Sequence, residues 1–365
     1  MPHIVVHSCP HLLVDISSHG FGHVSQTSAV VNELVRLVPS LQITVRSSAP
    51  HEFLQQRFQC EFEHIPVAFD FGMKMANAVD VLVAESAEAY RQFHADWWQK
   101  IEREAQVMRQ LKPDLLLANV PYLSLAAARV AKVHAVGMCC LNWADIYQHY
   151  CAEYKGSQEI HEQMLEAYRS AEHFLKVQPA MDMPELGNKR SIQPIARSGR
   201  QLRCHIAANS SQVEGEKLVM VAMGGMEFKL PMQNWPVLPG VRWIIPQSWG
   251  ISRDDATVFE SLRLPFTDVL ASCDAVITKP GYGTFTEAAC AGTPLLYVTR
   301  RDWPEEPYLV QWLRKNAACL EVKRELLMSG ELAGVLEKLW SMPLPPRPVA
   351  AGALEAAMFL QANYF

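Results

Sequence analysis

Short apolar runs alternate with longer amphipathic stretches along most of this chain, and that alternation predicts an α/β protein with mostly parallel sheets. In the first half, residues 12–16, 42–46, 115–118, 134–138 and 174–177 read as strands. After the first of these, Val24, Ala29, Val30, Leu34, Val35 and Leu37 form an apolar stripe of helical period, and 84–111 is strongly helical. Between Pro179 and Arg200 the pattern decays into proline, glycine, asparagine and basic residues, which reads as a linker. It restarts at 218–222, turns at Gly224 and Gly225, and continues through strands at 243–245, 275–278 and 294–298, with a helix over 285–291. A stiff proline-rich connector at 343–348 precedes a final helix over 350–362. There is no short tandem repeat.

Length sharpens this into two domains. A chain of 365 residues exceeds one comfortable core, so domains of roughly 150–200 residues are expected. We place them at 1–195 and 196–345, with the C-terminal helix, 349–365, returning to the first. The composition, 49% apolar and 19% charged, is that of a globular enzyme. The net charge of −5 gives no basic footprint for nucleic acid. The longest membrane-span candidate, 115–136, is interrupted by Arg129 and Lys132, so no integral membrane segment is expected. Nine scattered cysteines without a C-x-x-C pair, and no convincing signal peptide, point to reduced thiols in the cytoplasm.

The most informative chemistry lies at 278–287, Thr-Lys-Pro-Gly-Tyr-Gly-Thr-Phe-Thr-Glu. Here a strand hands over to a helix, so Gly281, Tyr282, Gly283 and Thr284 fall where free N–H groups and the helix dipole favour phosphate. Lys279 adds a cation, and Glu287, one turn in, has the acceptors for a ribose diol. An ordinary turn with Glu287 capping the helix fits the same residues. An N-terminal counterpart follows the first strand: Ser17-Ser18-His19-Gly20-Phe21-Gly22-His23, with Gly20 and Gly22 freeing the backbone and the histidines flanking it. The glycines argue against helix at that point. Two strand–glycine–helix sites suggest two doubly wound halves facing each other across a cleft.

These residues resemble the GT-B glycosyltransferases, in which two Rossmann-like domains clamp a sugar nucleotide. The similarity is greatest to the glycosyltransferase-like amino-terminal domain of plant-type L-arabinokinases, and is carried by His19 to His23, Asn142-Trp-Ala-Asp-Ile-Tyr147, Lys279 to Thr284, Arg300-Arg301-Asp302 and Glu305-Glu306-Pro307. It extends more distantly to plant UDP-glycosyltransferases and the peptidoglycan GlcNAc transferase. One such unit accounts for the chain, so no accompanying kinase domain is expected.

The resemblance implies roles position by position. His23 matches the histidine that deprotonates the acceptor hydroxyl, with His19 as second candidate. The aspartate that usually orients this histidine is replaced by Asn119, which can orient an imidazole but supplies no negative charge. Asp70 and Asp145 are possible substitutes or turn-forming residues, and with Gly20 and Gly22 they are placed on the acceptor side. On the donor side, Glu287 corresponds to the acid that grips the ribose, Gly281 to Thr284 to the diphosphate turn, and Lys279 to a neutralising cation. Gly224 and Gly225 form a second N–H-rich turn, and Phe266 lies where the nucleobase is read through main-chain groups. Glu305 and Glu306 stand where donor-sugar hydroxyls are held, while a salt-bridged surface loop is the favoured reading for at least one of Arg300, Arg301 and Asp302.

Other constellations carry less. His3, His7, Cys9 and His11 have metal-binding residue types in a short terminal segment, and His19 and His23 lack the glutamate of an H-E-x-x-H pair, so no metal site is expected. Trp97 and Trp98 read as core or interdomain packing. The leading expectation is an inverting, metal-independent transferase without a cofactor, moving a sugar from a nucleotide diphosphate sugar, UDP- or dTDP-linked, to a hydroxyl acceptor. Two alternatives stay open: a non-hydrolysing nucleotide-sugar epimerase, with Glu305 or Glu306 as base, and a non-catalytic nucleotide-sugar sensor or scaffold, which Asn119 keeps in play.

Overall fold

The computed structural model describes residues 9–17, 19–76, 80–208, 210, 215–224, 229–300 and 302–365. The chain divides into two compact units: residues 1–74, 81–193 and 351–365, and residues 75–80 and 194–350.

The first unit holds β1 (His11–Ile16), β2 (Gln42–Arg46), β3 (Glu63–Ile65), β4 (Leu115–Asn119), β5 (His134–Cys139), β6 (His173–Val177) and β7 (Lys189–Ile192) in one sheet of order β3-β2-β1-β4-β5-β6-β7. Every pairing is parallel, with Leu12–Ile16 set against Leu115–Asn119 residue for residue. Helices cover both faces, so the central strands are buried on each side and read as continuous apolar runs. Leu115, Leu116, Leu117 and Ala118 are all fully buried.

One polar interruption bears on the site. Asp15 and Arg46 face each other in the β1–β2 register, are both almost completely buried, and pair bidentately, with Nε–Oδ1 and Nη2–Oδ2 both 2.7 Å. Glu104 adds a second carboxylate at 3.1 Å, and the guanidinium lies 4.3 Å from the centre of the Phe69 ring. A buried charge persists only when its donors are satisfied in this way. The cluster anchors the start of the loop that carries Asp70.

The second unit holds β8 (Lys217–Ala222), β9 (Val241–Ile245), β10 (Ala256–Val258), β11 (Ala275–Thr278), β12 (Leu295–Tyr297) and β13 (Cys319–Glu321), again all parallel, in the order β10-β9-β8-β11-β12-β13. Val219, Val221, Trp243, Ile245, Ile277 and Leu296 form the centre of its core. In both sheets the order reverses beside the first strand of the unit, which opens a crevice at the carboxyl ends of two central strands.

Several boundaries differ from expectation. The expected linker at 179–200 contains β7, because Lys-Arg-Ser-Ile at a sheet edge buries only Ile192 and shows almost no apolar pattern. The helix over 84–111 is two helices, Val83–His94 and Trp97–Leu111, broken at Ala95-Asp96. Trp97 is buried and Trp98 is exposed. The helix Gly352–Tyr364 belongs to the first unit: it packs on Gly22–Leu37, Gln361 Nε2 donates to Leu37 O at 3.3 Å, and Glu355 accepts the Gln193 N–H at 2.8 Å. Among the described residues no helix is long and apolar enough to cross a membrane.

Candidate functional site

In the first unit the chemistry gathers where β1, β4 and β5 end side by side. The helix Gly22–Leu37 starts earlier than its glycines suggested: Gly22 and His23 are its first two residues, and Gly20 supplies the tight entry with φ +84°. A glycine at the very start of a helix costs little, because that residue's N–H has no intrahelical partner in any case. His23 is therefore held on a rigid element and is 7% exposed.

Its partner is Asn119, the last residue of β4, fully buried. Asn119 Nδ2 donates to Gln26 Oε1 at 3.2 Å and contacts His23 O at 3.5 Å, which turns Oδ1 toward the imidazole. Oδ1 can only accept, so the Nδ1–H of His23 donates to it at 2.9 Å. The lone pair is then on Nε2, which forms no hydrogen bond among the described residues. Cys139, the last residue of β5, brings its Sγ to 3.6 Å from the same Nδ1, and Gln26 Nε2 donates to Cys140 Sγ at 3.4 Å.

Electrostatics link these groups. Burial works against charge on His23, but the Cys139 sulfur, the Asn119 acceptor and Asp70 outweigh it and push the imidazole up to about 9. Burial also opposes ionisation of Cys139, yet Cys140, His23 and the Leu141 backbone bring the thiol down to about 6. The displacements are two sides of one interaction, in which each partner favours the other's ionised form.

Asp70 is a structural member of this group. It accepts from Ser17 Oγ at 2.7 Å and from Trp143 Nε1 at 2.9 Å, fixing the fully buried Trp143 ring. That ring stands edge-on to His19 at 5.1 Å and 6.0 Å from His23. Gly72 closes the loop with φ +60°, and a Cβ there would fall 2.6 Å from His19 Nδ1. His19 is half-buried, with Gly72 and the edge of Trp143 against its ring. Asp145 stands apart: its N–H donates to Asn142 Oδ1 at 2.8 Å in the first turn of Trp143–Cys151, and it shares no hydrogen bond with His23.

In the second unit the corresponding crevice lies between β8 and β11. The helix Tyr282–Ala291 follows β11, with Gly281 at its N-cap, a residue that has no side chain with which to cap the helix. Thr278 Oγ1 donates to Ala222 O at 2.6 Å, tying the ends of β11 and β8 together. Tyr282 is turned inward, its hydroxyl accepting the Ile195 N–H at 2.9 Å. Gly224, at φ +83°, lies directly under Lys279, and a Cβ would come within 3.1 Å of Lys279 Cε. Burial, followed by the like charge of Arg300, lowers the Lys279 ammonium to about 8. Gly225 and Arg301 lie outside the described residues, as do His3 and His7. Phe266 begins the helix Phe266–Ser272, half-buried, its ring 6.3 Å from that of Phe259.

Arg300 pairs with Glu306, Nε–Oε2 4.0 Å, but away from the surface. Its side chain is only 10% exposed, donates to Pro280 O and lies 5.2 Å from the centre of the Trp303 ring, so it is a wall of the Lys279 turn and not part of a surface loop. Asp302 is exposed. Glu305 and Glu306 are buried: Glu305 accepts from Trp303 Nε1 at 3.1 Å, and Glu306 accepts the Arg300 N–H at 3.0 Å. Burial pushes Glu306 up to about 7 against that hydrogen bond and the Arg300 charge. A folded carboxyl raised above its unfolded value binds extra protons, so its contribution to stability is greatest below about 4.5 and falls as pH climbs to about 7. We expect Glu306→Gln to flatten this part of the stability profile. Urea midpoints of wild type and variant across that interval check it, and parallel profiles would refute it.

Among the described residues no group of three or more His, Cys, Asp or Glu side chains could hold a metal ion. His11 instead bonds Thr44 Oγ1 at 2.9 Å. Sequence reasoning missed Cys139, Gln26 and Trp143 as companions of His23. The signal available for Cys139 was its place at the carboxyl end of a central strand.

No family model matches the chain. L-arabinokinase of Arabidopsis thaliana is 25% identical over 342 residues, covering 90% of this chain, which is a distant homologue of it. The chain spans 32% of that protein's length. Among solved structures, the glycotransferase of kitacinnamycin matches at a TM-score of 0.64 and 13% identity, covering 98% of this chain and 100% of its own. UGT89C1 of Arabidopsis thaliana matches at 0.59 and 15%, covering 97% and 94%. These likenesses show the GT-B glycosyltransferase fold.

Proposed function

We propose that the chain is a glycosyltransferase that moves a sugar, with inversion, from a nucleotide diphosphate sugar to a hydroxyl acceptor. The observation that carries this reading is the oriented His23: Asn119 Oδ1 holds Nδ1–H at 2.9 Å and leaves the lone pair on Nε2. His23 takes the acceptor proton as the oxygen attacks the anomeric carbon and the bond to the diphosphate breaks. In the second unit, Gly281 to Thr284, the helix N-terminus, Gly224 and Lys279 hold the diphosphate, and Arg300 adds a second cation as leaving-group charge grows. Glu287 binds the ribose diol. Glu305 and Glu306 contact the donor sugar, with Glu306 also fixing the Arg300 loop. Residues 1–195 then supply the acceptor side and 196–345 the donor side. The nucleobase, sugar and acceptor leave no side-chain signature in these residues.

Incubation with a panel of UDP-, dTDP- and GDP-sugars tests this. A transferase releases nucleotide in step with acceptor glycosylation, an epimerase returns an isomerised sugar nucleotide, and a sensor is thermally stabilised without turnover. In the same assay Glu287→Ala is expected to remove stabilisation by nucleotide sugars. Unchanged stabilisation in that variant would rule out its ribose role.

A further inference from the structure

Two partners meet Nδ1 of His23 from adjacent strands, the Asn119 amide at 2.9 Å from β4 and the Cys139 sulfur at 3.6 Å from β5. A base that accepts a proton in a buried place becomes a buried cation, which is costly unless a negative charge lies within a few ångströms. Asn119 fixes the tautomer but is neutral. Cys139 is the ionisable group in contact with that nitrogen and is 0% exposed; as a neutral thiol it donates to Gln26 Oε1 at 3.9 Å, a weak contact that ionisation gives up. The other titratable groups facing the pair are Asp70 in the loop after β3, Cys140 beside Cys139, and Tyr168 on the helix Ser157–Ser170. Asp70 is engaged by Ser17 and Trp143 and reaches His23 only through space.

We propose that Cys139, as a thiolate, is the positioning residue that supplies the negative charge behind His23 which its neighbour Asn119 cannot carry. The catalytic consequence rests on the reading of His23 as base. In the reactive form Cys139 has lost its proton to solvent and His23 is neutral, with Nδ1–H directed at Asn119 and the sulfur. The acceptor hydroxyl gives its proton to Nε2 as its oxygen bonds the anomeric carbon, and the electron pair of the broken bond leaves with the diphosphate. The cluster passes from one net negative charge to a neutral imidazolium–thiolate pair, the balance a carboxylate would achieve. The raised imidazole and lowered thiol have the same sense. The reactive form therefore grows with pH as the imidazole, held above its ordinary value by the neighbouring sulfur, loses its proton.

Nitrogen-15 histidine NMR titration of the full chain, with pH–rate profiles alongside, tests the assignment. Cys139→Ser keeps the volume of the side chain, Cys139→Ala removes the ionisable group altogether, and Asp70→Asn is the control for the other nearby charge. The His23 titration is expected to fall by more than about one pH unit in both Cys139 variants. It should move less in Asp70→Asn. The rise of the rate profile should shift acidward together with the titration. The part of the ultraviolet thiolate absorbance that titrates below the ordinary thiol range in wild type should be lost in both Cys139 variants, leaving that of the other cysteines. If His23 titrates at the same pH in Cys139→Ser as in wild type, the proposal is overturned. A shifted titration without sugar transfer at any pH would leave the charge pair standing and remove the transferase reading instead. The serine variant carries the test if the alanine variant does not fold.

Discussion

Replacing His23 by alanine is expected to lower sugar transfer by about 10²–10⁴-fold while changing donor affinity by less than about twofold. The size follows from what the residue does. Proton removal by a positioned base belongs to the transition state, so its loss appears in kcat and is worth about 3–5 kcal/mol of barrier. Donor affinity is spared because the proposed donor contacts lie on elements of the second unit, Gly224, Lys279 and the helix Tyr282–Ala291. His23→Gln separates shape from chemistry, since glutamine preserves polarity without a base. Initial rates with saturating donor, together with calorimetric titration of the same donor, decide the matter. Transfer retained in both variants would remove His23 from the mechanism.

Lys279→Met is expected to weaken nucleotide-sugar binding by at least about tenfold, the loss of one charge-assisted contact to a diphosphate, and at the same time to stabilise the ligand-free protein. The second effect has a definite sign. An ammonium lowered from 10.5 to about 8 in the folded state binds protons less readily there than in the unfolded chain. Its penalty, on the order of 3 kcal/mol, is fully present below about 8 and is relieved as pH rises through the interval to 10.5. Methionine has similar length and no charge to desolvate. The ligand-free melting temperature at neutral pH should therefore rise by at least about 2 °C. A bound diphosphate restores the proton, so donor binding near the Lys279 titration should be accompanied by proton uptake. Calorimetry in buffers of differing ionisation enthalpy reads this uptake directly, and it should be absent in Lys279→Met. Equal uptake by variant and wild type would place the phosphate elsewhere.

The sites differ in how much of them shows in the sequence. The turn around Lys279 is legible because strand, glycines, cation and helix follow one another within ten residues, and local order dictates local geometry there. His23 is legible for the same reason. Asn119 is named only through resemblance, being 96 residues away from His23, and Cys139 is 116 residues away. No periodicity connects positions that far apart. Of Arg300, Arg301 and Asp302 the sequence does not say which faces solvent: Asp302 is exposed, whereas the Trp303 ring and the Pro280 carbonyl turn the Arg300 guanidinium inward. Similarly, β7 escapes notice because an edge strand that buries one residue has no need of an apolar run.

Apolar periodicity in the chain was sufficient to establish alternating strands and helices, two parallel sheets and the carboxyl ends of strands as the place for chemistry, since burial on both faces of a strand leaves its mark on consecutive residues. Only the tertiary structure decided which side chains meet there. The strand order put β4 and β5 beside β1, and so brought an amide and a thiol to one nitrogen of His23. Sheet order is set by how whole layers pack, a property of the assembled molecule that no local segment of sequence encodes.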